Sequence, residues 1–317
     1  MTSKAVDLGH SVYQVDIFDQ KQAGITSCYI VAAEKAALIE TGASPGAPHI
    51  LEALSELGVP REKVGFIIGT HIHLDHTGGA GVLLRELKNA VVYVHPRGAR
   101  HLIDPSRLAA GAKTLYGDQF DELFGEIAPV PEDKVKTPED GESIDLGGRV
   151  LTFYHSPGHA RHHMVIYDPV SGGLFAGDAV GVRFERLSRI CGREITMPTT
   201  PPSEFDPPAM VESLERFKTL NLKRVYFTHF GMSEDVNAII DRHAKIVRRY
   251  EELGQEFFVN GKGTVAGLEE RIWEMVMADL RPAGITDKSS PDLEYVALNV
   301  KLNALGIQNY CERLKKS

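Results

Sequence analysis

The stretch Thr70-His71-Ile72-His73-Leu74-Asp75-His76-Thr77-Gly78-Gly79 puts three imidazoles and a carboxylate within six residues. It follows Val64-Gly65-Phe66-Ile67-Ile68, a short apolar run that reads as a buried strand. In an extended or turning segment His71 and His73 project to the same side. Asp75 and His76 then enter the following turn and helix start, where they face a second position. Gly78 and Gly79 let the backbone fold tightly around the pair. An isolated histidine is usually structural or exposed, but three so close together with an interleaved aspartate point to a metal site.

Working outward, three more candidate ligands each occupy a short loop just after a predicted strand. They are His159 in Ser156-Pro157-Gly158-His159-Ala160, Asp178 in Leu174-Phe175-Ala176-Gly177-Asp178, and His229 in Val225-Tyr226-Phe227-Thr228-His229. Residues at strand ends on one edge of a sandwich converge in space. Strands are expected over 11–18 and 28–39, the second broken by a turn at Glu34-Lys35, and again over 91–94, 150–155, 163–167 and 173–176. Helices are expected around Ile50–Leu57, stopped by Gly58 and Pro60, and over 80–87. Residues 96–127 read as a mainly helical, lid-like insertion with a breaker at Gly111, and 129–141 as a polar loop. Strands and helices thus come in two successive blocks, which suits an α/β (α+β) chain with two sheets face to face and helices outside.

Past His229 the apolar period becomes helical, through Val236, Ile239, Ile240, Val247 and Tyr250, then Leu268, Ile272, Met275 and Val276. A third set, Leu293, Val296 and Val300, follows Ser290-Pro291, which reads as an N-cap with proline at the first helical position. The expected organisation is a catalytic domain over 1–232 and a helical C-terminal extension over 233–317. That extension either packs against the sandwich or covers the mouth of the site.

At 317 residues, 43% hydrophobic and 25% charged, the chain can bury a large core and is ordinary for a globular protein. Its net charge of −8 argues against a dedicated nucleic-acid binder. The segment Met1 to Gly9 does not read as a signal peptide, and no run approaches a membrane span. The cysteines Cys28, Cys191 and Cys311 are odd in number and far apart, so the expectation is unpaired thiols in a reduced, cytoplasmic setting.

His-x-His-x-Asp-His, then a histidine after Pro-Gly, then Gly-Asp, then Thr-His, resembles the metallo-β-lactamase superfamily over residues 11–232. The nearest pattern is that of glyoxalase II, the acyl-homoserine-lactone lactonases and related thioesterases. The resemblance implies an αββα sandwich and two divalent metal ions per chain, zinc being the family default, with iron or manganese also suited to nitrogen and oxygen donors. It further implies that His71, His73 and His159 hold the first ion, Asp75, His76 and His229 the second, and that Asp178 bridges both. Many relatives carry aspartate where Glu40 stands. Lactonases often place a tyrosine where Gly181 stands, and diiron relatives have glutamate in place of His73. The helical tail resembles that of the 2-aminobenzoylacetyl-CoA thioesterase branch.

The implied chemistry is hydrolysis by a bridging hydroxide, with Asp75 orienting it and passing its proton to the leaving group. The first expectation for substrate is a carboxylic thioester of the acyl-CoA or acyl-glutathione type, with a lactone or other ester next. A mononuclear-iron persulfide dioxygenase and a metal-containing, non-catalytic effector that uses its helical tail are the rivals from other classes. Arg183, Arg186, Arg189 and Arg193 recur at spacings of three, three and four. On a helix they would line one face and grip phosphates or a carboxylate, or else form a solvated face paired with Glu185 and Glu194. His155, His162 and His163 flank the His159 loop. One of them, with His162 carried as a substrate candidate, supports a ligand or touches substrate, or all are plain loop residues. His10, His49, His95, His101 and His243 read as ordinary. The expected partner is a small ester or thioester, with no nucleic acid, no membrane, and a homodimer formed through the insertion or the tail.

Overall fold

The computed structural model describes residues 5–261 and 263–316, which divide into two compact units. The first unit comprises the segments up to His155, His162–Gly177 and Leu222–Glu234. It holds two sheets. In the seven-stranded sheet, Val6–Asp7, Val12–Asp16, Ser27–Val31 and Ala36–Ile39 run antiparallel, and Val64–Ile68, Val91–Tyr93 and Val135–Lys136 continue in parallel. The six-stranded sheet has the order Gly231–Ser233, Arg224–Phe227, Gly173–Phe175, Met164–Asp168, Val150–His155, Ser143–Asp145.

Alternation along each strand explains why the sequence runs are apolar on both faces. Tyr29, Val31, Ala37, Ile39 and Ile68 point between the sheets and pack with Phe153, Met164, Ile166, Phe175 and Tyr226. Their neighbours Cys28, Ile30, Leu38 and Ile67 point the other way, against Ile50, Ala53 and Leu54 of the helix Ala47–Glu56 and Leu83 of Ala80–Leu83. Strands buried on both faces carry continuous hydrophobic runs. The Tyr29 hydroxyl sits between the Phe227 and Gly231 carbonyls and ties the two sheets together.

Most expected elements stand where the periodicity puts them, including the turn between Ser27–Val31 and Ala36–Ile39. Two local readings need correction. Gly111 does not break the insertion: the helix Ser106–Tyr116 runs through it and ends at Gly117, whose φ of 55° a glycine adopts without a side-chain clash. One interior glycine costs only about 1 kcal/mol, and Leu108, Ala109, Ala112 and Tyr116 of this helix pack with Phe120, Phe124 and Leu74. The polar 129–141 segment is not wholly a loop, because Val135–Lys136 adds an edge strand beside Val91–Tyr93.

The second unit comprises Ser156–Arg161, Asp178–Asn221 and the segment from Asp235 onward. Its main helices are Glu185–Cys191, Pro207–Phe217, Val236–Gly254, Val265–Leu280 and Glu294–Leu314. Asp206 caps Pro207–Phe217 by accepting from Ala209 N at 3.2 Å, and Thr264 caps Val265–Leu280 by accepting from Gly267 N at 3.1 Å. Ser290 accepts from Asp292 N and starts the turn Pro291–Leu293 that leads into Glu294–Leu314. Among the described residues, no helix is long and apolar enough to cross a membrane.

The last helix grips the 198–200 segment from one face. Asn303 Oδ1 accepts from Thr200 N at 3.0 Å, and Asn303 Nδ2 donates to Pro198 O at 2.7 Å. Gly306 permits this approach, since a Cβ there would lie 2.0 Å from the Thr200 carbonyl oxygen. Helix propensity alone would make Gly306→Ala stabilising by about 1 kcal/mol. The clash falls on backbone, so overpacking wins and the variant should lose about 1–3 kcal/mol in urea unfolding. A neutral or stabilised variant would contradict this packing.

Candidate metal centre

The loop after Val64–Ile68 is fixed before any ligand is considered. Glu40 is buried, with a left-handed backbone at φ 66° unusual for a non-glycine residue. Its Oε1 accepts from Thr70 N at 3.1 Å, and its Oε2 lies 3.2 Å from His76 Nδ1. Thr41 N and Gly42 N donate to the His76 carbonyl, and Gly79 N donates to Gly42 O. Both ends of the loop are therefore pinned to the segment that follows strand Ala36–Ile39.

The ligand atoms of the first unit fall into two sets. His76 Nε2 and His229 Nε2 lie 3.7 and 3.5 Å from Asp75 Oδ2, and the three residues offer atoms all within 4.8 Å of one another. An ion bound tetrahedrally at about 2.0–2.2 Å sets neighbouring ligand atoms roughly 3.4 Å apart, so this spacing fits one. In the other set His71 Nε2 and His73 Nδ1 point at each other, 2.8 Å apart, a shared-proton spacing from which the two rings would separate by about 0.6 Å to hold an ion between them. The opposite ring nitrogens are held. His71 Nδ1 meets Thr70 Oγ1 at 3.1 Å, and His229 Nδ1 meets Thr26 Oγ1 at 3.2 Å and Ile25 O at 3.3 Å. Such partners select the tautomer and direct Nε2 outward.

The second unit carries the same device. His159 Nδ1 faces the Thr199 carbonyl at 3.0 Å, and His159 Nε2 lies 3.4 Å from Asp178 Oδ2. Thr199 belongs to the segment that Asn303 grips, so the terminal helix orients a candidate ligand through two hydrogen bonds. The His159 loop itself is anchored by Asp206 N donating to Gly158 O and by Ser213 Oγ donating to Pro157 O.

Electrostatics favour an ionised carboxylate at Asp75. Burial pushes its pKa up, but His76, His229 and His73 outweigh that and hold it well below the usual carboxylate range. The side chain keeps 36% of its exposure, so it remains reachable. Behind His229, Thr26 Oγ1 donates to Asp19 Oδ2 at 3.0 Å. Burial first, and then the Asp75 charge, raise the Asp19 pKa. Tyr116 of the helical insertion belongs to the same field: burial, Asp75 and Asp19 all push its hydroxyl up, so it stays protonated. Nothing in the sequence flags Asp19, Thr26 or Tyr116, which are single polar residues in segments without a motif.

Other candidates are placed as follows. His162 is buried, its ring stacked 6.0 Å from that of His71 and edge-on to His73 at 5.4 Å, beside the ligand pair. His163 is 5.0 Å from His71, ring to ring, and His155 packs on His95 at 4.1 Å. Burial and then His155 push the His95 pKa down to about 3. His243 is also more than a surface residue: it is fully buried, its pKa is pushed by burial down to about 3, and its ring occupies the space a side chain at Gly181 would need.

The four arginines do not share a helix face. Only Glu185–Cys191 is helical. Arg183 ends a strand and Arg193 follows Gly192, which terminates the helix at φ 62°. Each meets a carboxylate: Arg183 pairs with Glu194 at 2.7 Å, Arg186 with Asp292 at 2.7 Å, Arg189 with Glu185, and Arg193 with Asp279 at 3.0 Å.

A family model described as the metallo-β-lactamase superfamily matches residues 22–229, more than half of the chain. The chain belongs to the metallo-β-lactamase superfamily. It is 31% identical over 269 residues to the metallo-β-lactamase fold-containing protein ST1585 of Sulfurisphaera tokodaii, spanning 84% of this chain and 93% of that one. The crystal structure of ST1585 from Sulfolobus tokodaii matches with a TM-score of 0.63, 28% identity, and coverage of 87% and 99% of the two chains. A hydroxyacylglutathione hydrolase of Synechococcus is 29% identical over 184 residues, 58% of this chain and 55% of that protein. Acyl-coenzyme A thioesterase MBLAC2 of Bos taurus is 28% identical over 167 residues, 46% and 55% of the two chains. The match thus spans about half the length of these last two relatives.

The superfamily fold establishes the α/β class, the αββα sandwich, and a hydrolase that binds divalent metal. In that setting the Glu40 carboxylate becomes testable. Glu40→Gln keeps an acceptor for Thr70 N but turns a donor toward His76 Nδ1. Metal affinity, read by competition with a chromophoric chelator, should fall about 10- to 100-fold. Unchanged affinity would show that Glu40 does not orient His76.

Proposed function

We propose that His71, His73, Asp75, His76, His159, Asp178 and His229 form one dinuclear centre that hydrolyses a small acyl thioester of the acyl-CoA or acyl-glutathione type. In this reading His71, His73 and His159 take one ion, Asp75, His76 and His229 the other, and Asp178 both. The observation that carries it is the repeated geometry of ligand atoms at ion-compatible spacing, backed by histidines whose other nitrogen is already held. Topology supports it too. Strands Val150–His155, Gly173–Phe175 and Arg224–Phe227 run in the same direction within one sheet, so the chain leaves all three at one edge just before His159, Asp178 and His229. The kinship with a hydroxyacylglutathione hydrolase and with acyl-coenzyme A thioesterase MBLAC2 supports a thioester substrate.

An all nitrogen and oxygen donor set suits zinc, iron or manganese, and zinc is the ion proposed. When bound, such ions supply Lewis-acid activation of water and of a carbonyl. The chain's own contribution is positional. Asp75, ionised and reachable, orients the attacking water, accepts its proton and delivers it to the departing thiolate sulfur. Tyr116, still protonated at neutral pH, lies within the electrostatic reach of that carboxylate. His162, packed beside His71 and His73, narrows the space where an acyl group can lie.

The test is thiol release from a panel of acyl-CoA and acyl-glutathione substrates, with zinc-loaded and chelator-stripped protein side by side. Turnover should require metal, and Asp75→Ala should lower kcat by at least about 100-fold. Turnover that survives both treatments, or no turnover of any member by metal-loaded protein, would contradict the reading.

A further inference from the structure

The second unit carries an open cavity of about 520 Å³ that none of the candidate ligands lines. Its size falls within the roughly 300–1,000 Å³ of small-molecule sites, and its composition fits one. Phe184, Leu187, Met197, Met275, Val276 and Val296 supply apolar wall. The two methionines add flexible, polarisable surface that adapts to a chain-like ligand.

One border of the cavity is cationic. Arg242, Lys245, Arg248 and Arg249 of the helix Val236–Gly254 line it, against the acids Glu252 and Asp279. Arg242 is taken up by Asp279, Arg249 by Glu252 and Glu256, and Arg248 reaches Glu215 at 3.4 Å. Lys245 is exposed and forms no ion pair among the described residues. An apolar interior with an uncommitted ammonium at its border complements one chemistry, an alkyl chain ending in an anion. We propose that this cavity binds a medium-chain fatty carboxylate, the chain inside and the carboxylate at Lys245.

The inference goes beyond the thioesterase reading and does not rest on it, because binding is read without turnover. The chain's single tryptophan, Trp273, lies on the helix Val265–Leu280 that supplies Met275 and Val276 but outside the cavity lining, so its fluorescence is a secondary reporter. The probes are saturated carboxylates from hexanoate to dodecanoate, kept below micelle formation and titrated into metal-loaded full-length protein, with calorimetry in parallel. Affinity should tighten about three- to fourfold per added methylene until the cavity is full. Dodecyltrimethylammonium should bind more weakly than dodecanoate. Lys245→Glu, at an exposed position that leaves the fold alone, should weaken dodecanoate about fivefold, and Val276→Phe should shorten the longest chain that still gains affinity. A non-hydrolysable dodecyl-CoA thioether, whose chain carries no carboxylate, should fail to displace dodecanoate, and displacement would overturn the assignment of the carboxylate to Lys245. Affinity that is flat along the series, or equal for the cationic and anionic amphiphiles, would overturn the proposal.

Discussion

The contact on which the site depends is the one between Glu40 and the loop that begins at Thr70. A buried carboxylate is costly unless its oxygens are satisfied, and here one accepts from Thr70 N while the other faces His76 Nδ1. The left-handed backbone at Glu40 is a strained arrangement held by the buried sheet on either side of it. Removing that anchor would free the start of the loop and the orientation of His76 together. The same logic recurs at His71, His159 and His229, where Thr70 Oγ1, the Thr199 carbonyl and Thr26 Oγ1 each face Nδ1. A hydrolase of this superfamily needs its imidazoles neutral, correctly tautomeric and immobile before an ion arrives. These acceptors achieve that with ordinary hydrogen bonds.

The candidate ligands stand out in the sequence because their chemistry is concentrated: four donors in six residues, and three more directly after apolar strand runs. The sandwich was legible because short apolar runs such as Ser27–Val31, bounded by turn signals, read as strands buried on both faces, and its Tyr29 and Ile30 serve opposite cores. What supports the ligands was not legible. Asp19 and Thr26 precede His229 by some two hundred residues, and only the pairing of the sheets brings them together. Thr199 acts through its carbonyl, which no side-chain pattern encodes. The arginine periodicity does not become one helix face for a local reason, since Gly192 ends the helix before Arg193, and the pairing with Glu185 and Glu194 that the sequence also allowed is present. Gly111 misled for the opposite one, the apolar face of its helix being enough to carry a single glycine.

The helical second unit has two physical roles that its amphipathic pattern alone does not separate. Its last helix presses Asn303 and Gly306 against Pro198–Thr200 and so fixes the carbonyl that His159 uses. Its helix Val236–Gly254 turns Val247 and Tyr250 inward while presenting four cations near an apolar cavity. Small polar contacts do the first job and a broad apolar surface the second. Substitutions in the same unit can therefore act on the candidate metal centre or on the cavity with little overlap.

Anomalous diffraction at the zinc edge, from crystals of zinc-loaded protein, tests the ligand assignment most directly. It predicts two peaks, one bonded by His71, His73 and His159, the other by Asp75, His76 and His229, with Asp178 between them. Zinc bound elsewhere while these seven side chains remain without it would contradict the assignment, and with it the proposed hydrolytic centre.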